Sequence, residues 1–219
     1  MQHSLAGGRD NSVAADVSRV LLLGARLASH DVGGMFRRLV GPSTSRLHFD
    51  EVLGPSLTKA WNSDGTLSLL NLGWDLVLVA ESAARITVHQ QRYASITRLL
   101  CVAARAMGGA VALVEPPPAP LCSGDENRVR TSVQEAARIA RADVVPLGNV
   151  WRTALAIRPD LPLQTPRGRV SLLGAYLIAC TLAHYIVRES LHALDLPGVR
   201  PAHTAFVHRV AHDLVLDVD

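Results

Sequence analysis

Ser29-His30-Asp31 places a hydroxyl, an imidazole and a carboxylate side by side. Those are the groups of a nucleophilic relay, in which a base must reach the hydroxyl and a third group must hold the base. Adjacent side chains seldom converge on one atom, so the run reads as turn residues capping a helix that starts near Gly33. Ser56 and Ser82 are further hydroxyls in segments that follow apolar runs. Glu81 follows the apolar run 74–80, where burial would suit a carboxylate to act as a general base near neutral pH. His203, His208 and His212 offer imidazoles, the last two one helical turn apart. A zinc site takes four ligands, or three and a water. Asp213 is the one obvious extra candidate and would point elsewhere, so surface or packing histidines are expected and no metal. Gly33-Gly34 lacks the Lys-Ser/Thr that completes a phosphate loop, and no cofactor is implied.

These residues sit at the ends of apolar runs that alternate with helical patterns. Residues 17–23, 47–53, 74–80, 110–115 and 142–147 read as strands, and the half-polar 47–53 belongs near an edge. Helices are expected over 34–40, 65–71, 88–107 and 172–187. Ser132 and Glu135 have capping-box spacing, which predicts a helix over 133–140. A short helix near 203–216 closes the chain. About five strands alternating with helices predict a doubly wound, mostly parallel sheet. Ligands of such sheets bind at the carboxyl ends of the strands. A ligand is therefore expected against segments 24–31, 54–61, 80–87, 116–128 and 147–170, with the proline-rich 116–127 as a rim or lid.

Composition narrows the function classes. The 219 residues are 48% hydrophobic and 19% charged, enough for one core without disulfides. A net charge of +3 without basic, aromatic-interleaved runs argues against nucleic acid. The longest apolar stretch, 172–187, contains His184 and is short of a bilayer span. The N-terminus lacks an apolar signal region, so a cytoplasmic location is expected. Cys101, Cys122 and Cys180 are odd in number and widely spaced, and Cys101 and Cys180, inside apolar helical stretches, read as buried free thiols.

Taken in order, VLLLGARL, GPSLTKAWNSDG, GWDLVLVAES, VVPLGNVW and SLLGAYLIAC resemble the blocks of the SGNH (GDSL-type) hydrolases over about residues 17–187. The resemblance implies a flavodoxin-like three-layer α/β/α sandwich with a five-stranded sheet. It implies a segment 1–16 before the domain and an extension 188–219 after it. Gly24 stands in the first block, and Arg26 falls at the family's nucleophilic serine. Gly54 matches the glycine whose amide helps form the oxyanion hole, and Ala80 the amide side chain of the third block. Pro166 and Arg169 fall at the catalytic aspartate and histidine.

Arginine is protonated at any ordinary pH and can be neither nucleophile nor base. A missing oxyanion donor alone costs about 10²–10³ in rate. The expected protein is thus a pseudo-hydrolase. Arg26 and Arg169, at positions that converge in the family, would hold an anionic or acyl-bearing small molecule, with Gly24, Gly54, Glu81 and Trp151 around it. Trp61 and Trp151 are expected in loops flanking that pocket. The alternatives are a repurposed enzyme (acyl transfer, cyclisation or elimination, with Glu81 as base), an active esterase whose nucleophile is elsewhere, and a protein-interaction module using 116–127 and the tail. No membrane partner is expected.

Overall fold

The computed structural model describes residues 17–41, 47–118, 124–188 and 191–216. Five strands form one sheet: β1 (Arg19–Ala25), β2 (His48–Gly54), β3 (Leu76–Ala80), β4 (Ala110–Val114) and β5 (Asp143–Val145). Their order is β2-β1-β3-β4-β5 and every pairing is parallel, which is the flavodoxin-like arrangement. The half-polar second run does lie at an edge.

Alternate residues of each strand face opposite layers. Val20, Leu22, Leu76, Leu78, Ala112 and Val114 pack with α1 (Val32–Val40), α7 (Leu147–Ile157), α8 (Leu172–Val187) and α9 (Pro201–Leu216). Leu21, Leu23, Val77, Val79, Val111 and Leu113 pack with α2 (Leu57–Trp61), α3 (Thr66–Leu70), α4 (Ala83–Val88), α5 (Gln90–Ala106) and α6 (Glu126–Ala140). The layering explains α8, which is apolar on every side: the sheet layer lies beneath it, α1 and α7 pack against it, and α9 covers it. The final helix is longer than expected, and its Val207, Val210 and Ala211 belong to the same core as α8. Among the described residues, no helix is long and apolar enough to cross a membrane.

The helix expected over 88–107 is α5, and a further helix, α4, precedes it: α4 ends at Val88, His89 leaves helical geometry at φ −130° and ψ 46°, and α5 starts at Gln90. Two expectations need correction. Ser132 is not a cap. Its helix α6 starts at Glu126, and the Ser132 hydroxyl donates back to the Arg128 carbonyl at 2.8 Å. Glu135 pairs with Arg138 instead of closing a box. Finally, Trp61 and Trp151 lie in α2 and α7, not in loops. The segment 1–16, part of the 116–127 connection and Cys122 lie outside the described residues; Cys101 and Cys180 are buried free thiols.

Candidate functional site

The strand order reverses between β1 and β3, so the carboxyl ends of these two strands bound the topological switch point. Gly24 makes their approach feasible. Its φ is +135°, and a Cβ there would fall inside the van der Waals shell of the Ala80 carbonyl oxygen. The next turn is pinned by the Arg26 amide, which donates to the Gly54 carbonyl at 3.1 Å. The structure thus joins Gly24 to Ala80, and Arg26 to Gly54, around one junction.

The exposed Arg26 side chain lines a cleft of about 240 Å³ with Ser29, His30, Asp31 and Glu51. This cleft is already acidic. Asp31 caps α1, accepting from the Gly34 amide at 2.7 Å. The Glu51 carboxyl lies where a Cβ on Gly33 would be, 2.8 Å from its Cδ. Burial pushes the Glu51 carboxyl above its ordinary value; Arg37 opposes this, Asp31 adds to it and Arg26 opposes it. The Gly33-Gly34 pair therefore makes room for two carboxylates, which occupy the place an incoming anion would take. Ser29-His30-Asp31 behaves as capping turn residues.

A second cleft, of about 190 Å³, lies on the Glu81 side of the switch point. Its walls are the β2–α2 connection and start of α2 (Ser56, Leu57, Lys59), and the stripe Arg85, His89, Arg92, Tyr93 and Ile96 on α4 and α5. Glu81 is buried on its floor. Glu81 Oε2 accepts from the Leu57 amide at 2.9 Å and Oε1 from the Ser82 amide at 2.7 Å, tying the start of α2 to the end of β3. Both oxygens are thereby engaged. Among the described residues, Lys59, Arg85 and Arg92 form no ion pair with a carboxylate. The cleft brings Ser56, His89 and Glu81 together, but no hydrogen bond links the three; Ser56 Oγ accepts from the Lys59 amide at 3.2 Å.

The remaining residues lie apart. Arg169 is exposed in a tight turn, its carbonyl accepting from the Thr165 amide at 2.7 Å, and it lines neither cleft. Arg26 and Arg169 do not share a pocket wall. Trp151 is fully buried, with Gly174 of α8 packed so closely that a Cβ there would sit 2.7 Å from its Cη2 atom. Trp151 therefore offers a ligand no surface. Gly148, three residues before it, gives similar room to the Glu115 carboxyl, which pairs with Arg152 at 2.9 Å. The glycine and tryptophan landmarks of the fourth and fifth blocks are packing residues.

One more serine, histidine and aspartate share a cleft. Ser171, His203 and Asp160 line a space of about 440 Å³ between the start of α8 and α9. The Ser171 hydroxyl, however, donates to the Pro162 carbonyl at 2.5 Å and accepts from the Gly174 amide at 3.0 Å. Its proton is directed at a carbonyl, not at a base. Among the described residues, no group of three or more His, Cys, Asp or Glu is placed to hold a metal. His184 instead stacks edge-on with His208 and His212, with ring centroids 5.0 and 5.2 Å apart.

The basic cleft was not anticipated from the sequence. Arg85, His89, Arg92, Tyr93 and Ile96 follow helical spacing, but a helix started at 88 leaves Arg85 out. Extending that pattern back to Ala83 would have exposed the stripe.

No protein-family model matches the chain, and no curated protein matches its sequence. Solved structures do match in fold. An inferred SGNH hydrolase from Slackia heliotrinireducens superposes with a TM-score of 0.64 at 20% identity, covering 77% of this chain and 98% of its own. The YXIM protein of Bacillus subtilis gives 0.63 at 14% identity, over 79% and 56%. An acetyl xylan esterase, AlAXEase, gives 0.54 at 13% identity, over 74% and 96%. At these identities the likeness establishes a shared fold.

Proposed function

We propose that this chain is a non-hydrolytic protein on an SGNH-hydrolase scaffold that binds an anionic or acyl-bearing small molecule in the basic cleft beside Glu81. The observation that carries the proposal is the chemistry at the switch point. Arg26 follows β1, where the resembling enzymes carry their nucleophile, while the neighbouring cleft presents Lys59, Arg85 and Arg92, none of them ion-paired with a carboxylate among the described residues. Serine attack needs a hydroxyl bonded to a base, and the serines of all three clefts lack that bond. A base role for Glu81 is disfavoured for the same kind of reason, since both its oxygens accept backbone amides.

The test combines ester turnover with thermal shifts in acetate, butyrate, sulfate and phosphate at low salt. A ligand that binds only the folded state raises its stability by RT ln(1 + [L]/Kd), about 2.7 kcal/mol at a hundredfold excess over Kd. The expected result is background hydrolysis, together with an anion-dependent rise in Tm that Lys59→Gln abolishes. Ester turnover above background, or no response to any anion, contradicts the proposal.

A further inference from the structure

Resting on that reading of the basic cleft, the geometry points to a narrower ligand class: a phosphoryl group carrying two negative charges, as in a small phosphomonoester. The first argument is charge balance. Among the described residues, Lys59, Arg85 and Arg92 bring three positive charges to the cleft and Glu81 its one carboxylate, a net of two positive charges before His89 is counted. A phosphomonoester carries about −1.5 to −2 near neutral pH, whereas a monocarboxylate would leave at least one cation uncompensated.

The second argument is the form of the donors. Two guanidinium forks and an ammonium suit several oxygens on one tetrahedral centre. Arg85, His89 and Arg92 line the cleft from α4, the break after it and α5, while Lys59 lines it from α2. The third is size. About 190 Å³ is below the roughly 300–1,000 Å³ of sites that enclose drug-sized ligands. It suits a compact head group, with Tyr93 and Ile96 as a short apolar wall for a small organic remainder.

The rival location loses on the same grounds. Among the described residues, the Arg26 cleft carries two carboxylates, Asp31 and Glu51, against one lining arginine.

Isothermal titration of the full chain at low salt with inorganic phosphate, glycerol 3-phosphate and acetate tests the inference. Phosphate and glycerol 3-phosphate should bind at least about tenfold more tightly than acetate. Arg85→Gln and Arg92→Gln should each weaken phosphate binding about ten- to hundredfold, as expected for losing one charge-assisted contact. Both side chains are exposed, so an unchanged Tm in the absence of ligand confirms that these variants fold. Sedimentation with phosphatidylcholine vesicles, with and without phosphatidic acid, separates the sources of the phosphoryl group: capture only with phosphatidic acid, alongside weak glycerol 3-phosphate binding, identifies a lipid head group. Acetate binding as tight as phosphate overturns the phosphoryl assignment and leaves the anion reading standing. No binding of any probe overturns both. Phosphate binding that survives Arg85→Gln and Arg92→Gln together places the anion elsewhere and overturns the inference.

Discussion

Replacing Glu81 with alanine tests whether this carboxylate is a clamp. Its two oxygens accept amide protons from Leu57 at 2.9 Å and Ser82 at 2.7 Å, in a site 5% exposed. Hydrogen bonds to charged groups contribute about 1.5–3 kcal/mol each. Losing two therefore costs about 3–6 kcal/mol, a large share of the roughly 5–15 kcal/mol by which domains are stable. For a chain of this size each kcal/mol moves Tm by about 2–4 °C, so the expected drop is about 6–24 °C. Glu81→Gln keeps one acceptor oxygen and turns its amide NH2, a donor, toward the other N–H, so its loss should be comparable or somewhat smaller. Urea denaturation of the three proteins gives the free energies directly, provided the slope m is unchanged. The cleft should loosen as well, since the clamp holds Ser56–Lys59 opposite Arg85 and Arg92. A loss below about 1 kcal/mol for Glu81→Ala would refute the clamp and reopen a chemical role for the side chain.

Other perturbations follow from the same geometry. Gly24→Ala should prevent folding, because it adds about 1–3 kcal/mol of backbone strain to a collision with the Ala80 carbonyl; circular dichroism of the purified variant checks it. Glu51 has a raised folded pKa, so between its ordinary value of 4.5 and that raised value the folded state holds more protons than the unfolded one. Its contribution is fully present below pH 4.5 and lost as pH rises, so Glu51→Gln should raise Tm at pH 7 and change little at pH 4. His208 has the opposite sign. Burial, then His212 and His192, lower its pKa from 6.5, so its contribution is present above pH 6.5 and lost as pH falls through the lowered value. His208→Gln should flatten that acid limb in a pH series of urea melts.

The sheet was legible because buried parallel strands are continuous apolar runs, and 20–23 and 76–80 have no competing reading. Helix α8 was legible for the same reason. Trp151 was misplaced because α7 begins directly after Pro146 with no side-chain cap to announce it, and a tryptophan after glycine reads as loop. Ser132 and Glu135 misled because capping-box spacing is also ordinary helix-interior spacing, and the choice rests on residues 126–131 continuing the helix upstream. The basic cleft draws on three helices and a break at one residue, so its cations meet only in the fold. The carboxylate against Gly33 is a tertiary contact between β2 and α1, and spacing along the chain carries no trace of it.

Intact-mass analysis after treatment with a fluorophosphonate probe shows whether any serine of this scaffold is activated for attack. Unmodified protein is expected, since Ser56 and Ser171 serve as helix caps and Ser29 lacks a base held in place. A stoichiometric adduct mapping to Ser56, beside His89 and Glu81, or to Ser29, would contradict the non-hydrolytic reading and identify a rebuilt hydrolase.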